Sequence, residues 1–242
     1  MKTVLVTGSS RGIGYATSEL FSAAGYNVVL NCLNNTDLME TAVNKFKTIN
    51  PNVIGIACNV SKYEECKAMF SEINQTFGDV DILVNNAGIS NFGLFGLTPV
   101  CEWHNIIETN LYSVMNCSHI AIEKMVENKN GRILNISSVW GNAGASCEVA
   151  YSASKAAVNG FTKALAKELA PSGVQVNAIA CGAVDTDMNK RLTMEEKKDF
   201  EKSIPIGRFC SAVEIARLVF SICTESTMCL TGQIITVDGA MT

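Results

Sequence analysis

Val4-Leu5-Val6-Thr7-Gly8-Ser9-Ser10-Arg11-Gly12-Ile13-Gly14-Tyr15 is the stretch that decides the fold. Three apolar residues of strand length run into a segment with glycines at 8, 12 and 14, and from Tyr15 to Ala24 the residues follow helical spacing. Glycines there let the backbone turn tightly and approach a ligand closely. The free amides and positive dipole of the following helix face the same point, which suits the pyrophosphate of a dinucleotide. An ordinary strand-to-helix turn shares this outline, but the three glycines lie between a strand and a helix, the context that favours phosphate binding. The spacing is T-G-x-x-x-G-x-G rather than G-x-G-x-x-G. Gly8, Ser9, Ser10, Arg11, Gly12, Ile13 and Gly14 are therefore candidate cofactor-binding residues.

Beyond this turn, apolar runs of strand length alternate with amphipathic stretches of helix length. Val28-Val29-Leu30, Val53 to Ala57, Ile82-Leu83-Val84, Ile133-Leu134-Asn135-Ile136, Val174 to Ile179 and Ile234 to Val237 read as further strands, giving seven with the first. Such alternation predicts an α/β fold: a seven-stranded parallel, doubly wound sheet of Rossmann type with helices on both faces. Longer helices are expected from about Pro99 to Val126, with Pro99 in the first turn, and from about Ala150 to Leu169. The chain has 242 residues and four prolines, with no linker, repeat or break in composition, so residues 1–242 read as one domain.

Net charge is −4 and the basic residues are scattered, which leaves no electrostatic footprint for nucleic acid. No run of 18 apolar residues is present to span a bilayer, and no secretory signal opens the chain, so a cytoplasmic protein is expected. The ten cysteines are spread through apolar segments without a Cys-x-x-Cys pair, as suits reduced thiols. His104 and His119 lack partners at metal-ligand spacing, and no metal is expected.

The chemistry concentrates in Tyr151-Ser-Ala-Ser-Lys155, downstream of Ser138. Residues four apart share one face of a helix, so the Tyr151 hydroxyl and the Lys155 amine can enter one pocket. A phenol has an unperturbed pKa of about 10, and a nearby ammonium favours its ionised form, so Lys155 is expected to lower the Tyr151 pKa.

Together with Asn85-Asn86-Ala87-Gly88, Asn110, Asn135-Ile136-Ser137-Ser138 and Gly232-Gln233 to Asp238-Gly239, these segments resemble the short-chain dehydrogenase/reductase family over essentially the whole chain. The resemblance implies an NAD(P)-dependent oxidoreductase acting on C=O or CH-OH groups. In it Tyr151 would donate a proton to a carbonyl, Ser138 would hydrogen-bond the developing alkoxide, and Lys155 would also hold the nicotinamide ribose. Asn110 would anchor a water that relays protons to Lys155. It further implies that Asn59 and Val60 contact adenine, that Asn86, Ala87 and Gly88 line the adenosine ribose, and that Val184 and Thr186 meet the nicotinamide carboxamide and phosphates. Cys181-Gly182 stands where the family usually has Pro-Gly, a departure expected to loosen the loop framing the nicotinamide. By the same resemblance, the helices near 99–126 and 150–169 pair between subunits of a homotetramer.

An acid at the end of the second strand would select NAD(H) by binding the adenosine ribose and repelling a 2′-phosphate. Cys32 occupies that position, Leu33 follows it without charge, and Arg11 can fork onto a phosphate. NADP(H) is therefore favoured, with NAD(H) the alternative.

Within the family, the chain resembles bacterial 3-oxoacyl-acyl-carrier-protein reductases, which implies an acyl carrier protein as partner. Lys129 and Arg132 are candidate docking residues for that acidic partner, although Pro171-Ser172-Gly173 lacks an arginine common there. The segment from Ser138-Val139-Trp140-Gly141 through Gly144-Ala145-Ser146-Cys147-Glu148 to Tyr151 resembles a second group, the elongation factor P 5-aminopentanone reductases. These reduce a ketone on a modified lysine carrying a free amine, and Glu148 is the candidate partner for its ammonium; a solvated loop carboxylate is the alternative. Phe92, Leu94, Phe95 and Leu97 form an apolar loop near the cleft, and Asp187 to Ser203 a long polar connection that suits a lid. Cys147 is assigned no chemistry. A dinucleotide-binding sensor and a structural assembly subunit are the alternatives of other classes, and neither requires a proton donor.

Overall fold

The computed structural model describes residues 1–190, 192–225 and 229–242. Among them, strand β1 (Thr3–Val6) leads into helix α1 (Gly12–Ala23), followed by β2 (Asn27–Cys32), α2 (Thr36–Lys47), β3 (Val53–Ala57), α3 (Tyr63–Phe77) and β4 (Ile82–Asn85). The second half runs α4 (Val100–Ile107), α5 (Ser113–Glu127), β5 (Gly131–Ser138), α6 (Trp140–Ala143), α7 (Val149–Leu169), β6 (Val174–Cys181), β7 (Val184–Asp185), α8 (Met194–Ser203), β8 (Cys210–Ser211), α9 (Ala212–Thr224) and β9 (Ile234–Val237). All seven strands read from the sequence form one sheet, in the order β3-β2-β1-β4-β5-β6-β9, and every pairing is parallel.

The apolar runs are continuous because both sheet faces are covered. Successive side chains point to opposite faces. Val4, Val6, Val28, Leu30, Ile82 and Val84 pack with Phe21, Met39, Phe46, Ile215 and Val219, from α1, α2 and α9. Leu5, Val29, Leu83 and Ile133 pack on the other side with Met69, Ile73, Cys117, Met125 and Leu169, from α3, α5 and α7. Strand order reverses beside β1, which pairs with both β2 and β4. Ligands of open parallel sheets bind at the carboxyl ends of the strands at such a switch point.

Two expectations change. The helix predicted from Pro99 to Val126 is broken: Pro99 is the cap before α4, and a turn of π-helix, Glu108–Tyr112, separates α4 from α5. Periodicity does not register one extra residue in a turn, and such bulges recur at functional sites. The connection from Asp187 to Ser203 is not simply polar loop. It contains a 3₁₀ turn, Asp187–Asn189, and helix α8, whose first turn is closed by reciprocal bonds between Thr193 and Glu196. Its Arg191 lies outside the described residues. Phe200 and Leu192 pack on a small cluster of Ala183, Ile204 and Phe209, so the segment has a core of its own. Short strands β7 and β8 pair beside it, Val184 with Cys210 and Asp185 with Ser211.

Candidate active site

The glycine turn is held against the end of β4. Thr7 Oγ1 accepts from the backbone N–H groups of Asn86 and Ala87, each at 3.0 Å. Asn86 Nδ2 in turn donates to the carbonyls of Thr7 and Gly8, each at 2.9 Å. A methyl group on Gly8 would sit 2.8 Å from Ala87 Cα, and one on Gly14 2.6 Å from Asn86 Nδ2. Gly8 also has φ of +62°, which L side chains rarely adopt. Ser9 Oγ donates to the Val6 carbonyl at 2.7 Å and accepts from the Asn31 N–H at 2.9 Å, while Ser10 is buried beside it. Ile13 packs against the core. Arg11 caps α1 without offering a side-chain acceptor to the first-turn amides. The first-turn amides of α1 are left without a side-chain cap, and Gly8 and Gly14 leave no room for a side chain, so the residues present fit a pyrophosphate.

Further round the cleft, Gly12 abuts Thr186, whose Cγ2 lies 3.5 Å from the position of a methyl on the glycine. Val184, in β7, is buried. Cys32 ends β2 as expected, but its thiol lies in the apolar core with Met39 and burial pushes its pKa up. Asn31, beside it, has a role that apolar patterning does not announce. Its Oδ1 accepts from Gly8 N at 3.4 Å and its Nδ2 donates to the carbonyls of Ile56 and Cys58, tying the turn to β3. An amide within a fully buried strand was the available signal, since buried polar groups need partners. Asn59 turns into its own loop, its Oδ1 accepting from Ser61, while Val60 is buried and its carbonyl accepts from Asn116.

Ser138, the last residue of β5, meets Tyr151 in the first turn of α7, and Lys155 follows one turn later. Tyr151 lines the cavity with Ser138 and hydrogen-bonds it, whereas Lys155 is buried and does not join the lining. The electrostatics differ from the expectation that Lys155 lowers the phenol pKa. Burial dominates and holds Tyr151 well above the ordinary tyrosine range; the bond to Ser138 opposes this, and Cys181 and Glu148 add to the rise. Lys155 Nζ donates to the Ile136 carbonyl at 2.8 Å and lies 5.8 Å from the Tyr151 ring centre. Burial brings its own pKa down to about 8.

The π turn carries Asn110 to the same point. Its Oδ1 accepts from Ile89 N at 2.8 Å, and its Nδ2 donates to the Ile89 carbonyl at 2.9 Å and to Ser154 Oγ at 3.0 Å. Ser154 donates to the Tyr151 carbonyl. A methyl on Gly88 would lie 3.3 Å from Asn110 Oδ1 and 3.5 Å from Lys155 Nζ, so bare backbone separates the two. Asn110 thus fastens the Gly88–Ile89 loop to α7.

In front of Tyr151 opens a cavity of about 550 Å³, whose walls include Ser138, Trp140, Glu148, Tyr151, Met188 and Phe200. Glu148 is the one carboxylate among its described lining residues. Phe92 reaches this cavity, while Leu94, Phe95 and Leu97 are exposed. The Cys147 carbonyl accepts from Gly93 N at 2.9 Å, joining the apolar loop to the start of α7.

Two expectations are corrected. Cys181 does not loosen the nicotinamide loop: it is the last residue of β6, buried, and paired with Ser138 on one side and Val237 on the other. Gly182 then passes so near Asp238 that a methyl would sit 2.6 Å from its Cβ. Arg132 is not a free docking cation, since it lies at the opposite end of β5 from Ser138, largely withdrawn from solvent, with its guanidinium on the Gly131 carbonyl at 2.9 Å. Lys129 sits in the turn before it.

A glycine cradle at the switch point and a Ser-Tyr pair facing a cavity, with a buried lysine one helical turn on, define a dinucleotide-dependent oxidoreductase of C=O and CH-OH groups. Residues 2–197 match the short chain dehydrogenase family, and the chain belongs to that family. It is 39% identical over 240 residues to a 3-oxoacyl-[acyl-carrier-protein] reductase FabG of Staphylococcus aureus, covering 99% of this chain and 98% of the relative. A reductase of the same description from Aquifex aeolicus is also 39% identical, with 99% and 97% covered. Among solved structures, a putative gluconate dehydrogenase from Agrobacterium tumefaciens superposes with a TM-score of 0.94 at 31% identity, covering 99% of this chain and 95% of the other. No helix among the described residues is long and apolar enough to cross a membrane.

Proposed function

We propose that this protein is an NADPH-dependent ketoreductase, and that its substrate is a 3-oxoacyl group carried as a thioester on acyl carrier protein. The observation that carries this reading is the meeting of Ser138 and Tyr151 in the wall of one cavity, with the Lys155 amine 5.8 Å from the Tyr151 ring centre, in a chain similar from end to end to 3-oxoacyl-[acyl-carrier-protein] reductases.

When bound, the dinucleotide supplies a hydride to the carbonyl carbon. Tyr151 gives its proton to the carbonyl oxygen, a role that suits a phenol kept protonated by burial. Ser138 offers its hydroxyl to the same oxygen as negative charge develops. Lys155, whose pKa near 8 leaves it mostly cationic at neutral pH, holds the ribose and lies within reach of the Asn110 loop for proton resupply. Arg11 takes the adenosine 2′-phosphate, and the glycine turn takes the pyrophosphate. The exposed faces of α4, α5 and α7 are assigned to a homotetramer.

A second reading is favoured by Glu148, a carboxylate in the wall of a cavity that also presents Trp140 and Phe92. Carboxylate and aromatic faces together attract ammonium groups, which supports an amine-bearing ketone such as the 5-aminopentanone-modified lysine of elongation factor P. A non-catalytic sensor would have no need of a proton donor at the cavity mouth.

The test is oxidation of NADPH, and of NADH beside it, with an acetoacetyl thioester and with an amine-bearing ketone, for the wild type and Tyr151→Phe. Tyr151-dependent turnover of the thioester supports the acyl reductase. Turnover of the amine-bearing ketone alone moves the assignment to the second reading, and dinucleotide binding without turnover of either removes both.

A further inference from the structure

Asp187 joins two sides of the cofactor cleft. Its Oδ2 accepts from Arg11 Nη1 at 3.0 Å, and its Oδ1 lies 2.5 Å from Lys190 Nζ. Arg11 ends the glycine turn, whereas Asp187 begins the 3₁₀ turn that leads toward α8. The two segments already touch where Thr186 rests on Gly12.

The two partners of this pair differ in freedom. Asp187 sits in a turn whose Asn189 side chain donates to the Val184 carbonyl at 2.7 Å. Arg11 reaches across by a long side chain that is 55% exposed. The guanidinium can therefore leave while the carboxylate stays, and Lys190 remains to neutralise it. At the end of β2, Cys32 and Leu33 carry no charge to attract or repel a 2′-phosphate, so discrimination falls on Arg11.

We propose that Asp187 is a specificity-determining residue for the cofactor: by holding Arg11, it weakens binding of a 2′-phosphorylated dinucleotide and so narrows the preference over the unphosphorylated one. The proposal rests on the reading of Arg11 as the 2′-phosphate contact. A phosphate must displace the carboxylate before it gains its own charge-assisted bonds, and a dinucleotide without the 2′-phosphate leaves the pair in place. Exposed ion pairs are weak, so the effect on affinity is about two- to fivefold.

Equilibrium titration with NADP⁺ and NAD⁺, followed by calorimetry without any substrate, tests this. Asp187→Asn and Asp187→Ser are each expected to raise the ratio of the NAD⁺ to the NADP⁺ dissociation constant by about two- to fivefold. The serine variant guards against an amide that still holds Arg11, and thermal melts verify that both variants are folded. In an Arg11→Gln background the same substitutions should leave the ratio unchanged. Equal tightening of both dinucleotides would overturn the proposal, because loss of a negative charge near any anion would account for it; so would a ratio change that persists without Arg11. If Arg11→Gln weakens NADP⁺ while the Asp187 variants change nothing, this inference fails alone. If Arg11→Gln leaves NADP⁺ binding intact, the reading of Arg11 fails with it.

Discussion

The two ends of the cleft are built by different means. At the cofactor end, backbone meets backbone: Gly8, Gly14 and Gly182 pass within distances where a single methyl would overlap Ala87, Asn86 or Asp238. At the substrate end, side chains from separate loops surround open space, with Phe92 and Met188 partly exposed. Position at the first end is over-determined and tolerates almost no change, whereas identity at the second can vary without disturbing the fold. This contrast is why the reaction class follows from the chain more firmly than the substrate does.

Tyr151→Phe should separate the two ends most sharply. Loss of a positioned acid lowers kcat by about 10²- to 10⁴-fold, while dinucleotide affinity, set at the other end, stays within about twofold. A steady-state assay beside a binding titration checks both, and a parallel loss of binding would mean that the ends are not independent. Next in size is a glycine pair. Gly8→Ala forces a methyl to 2.8 Å from Ala87 Cα at a φ of +62°, so a loss of about 3 kcal/mol or more in unfolding free energy is expected, together with loss of dinucleotide binding. Gly144→Ala also has a positive φ, +75°, but nothing within 4 Å of the added methyl, and should cost about 2 kcal/mol through conformation alone, without loss of dinucleotide binding. Denaturant melts that return equal losses would break the comparison.

The sheet was legible because its strands are apolar runs buried on both faces, and the glycine turn because only that residue type passes Ala87 and Asn86. Tyr151 and Lys155 were legible as a pair because their spacing matches the helix. What sequence could not carry was context. A π turn adds one residue that periodicity absorbs, so a single helix was expected where Asn110 interrupts two. The partner of Arg11 lies 176 residues away, and no local pattern announces Asp187. The sign of the Tyr151 shift depends on burial, which outweighs the neighbouring amine and is a property of the whole packed domain. Arg132, expected as a docking cation, is half-buried with its guanidinium on the Gly131 carbonyl, again a matter of packing.

Lys155 is where the two ends meet, and its depressed pKa makes it measurable. In the unfolded chain its amine titrates near 10.5, and in the folded protein near 8, so between these values the unfolded state binds more protons and this group's penalty shrinks as pH rises. Below pH 8 the penalty is fully present, on the order of 3 kcal/mol before the bond to the Ile136 carbonyl is counted. Lys155→Met should therefore be more stable than the wild type at pH 7, with the advantage narrowing from pH 8 upward. Comparison of the two proteins is essential, because the buried thiol Cys223, pushed up to about 12, costs stability over an overlapping alkaline range in both. An advantage independent of pH would show that the lysine is neutral when folded or is reached by water.

Glu148→Gln has the smallest expected effect and bears most directly on the substrate end. The carboxylate lies in the wall of the cavity and close enough to Tyr151 to raise its pKa, so a substrate ammonium paired with it would stand near the reacting carbonyl. Removing the charge should raise KM for an amine-bearing ketone by up to about fivefold, as expected for a solvent-accessible pair, and leave KM for a neutral ketone of the same length unchanged. The same substitution removes one of the groups that hold the phenol up, so kcat should shift slightly and equally for both substrates. A selective change in KM would assign Glu148 to substrate choice, whereas a common change in kcat alone would confine it to tuning Tyr151 and return the cavity to the neutral acyl chain.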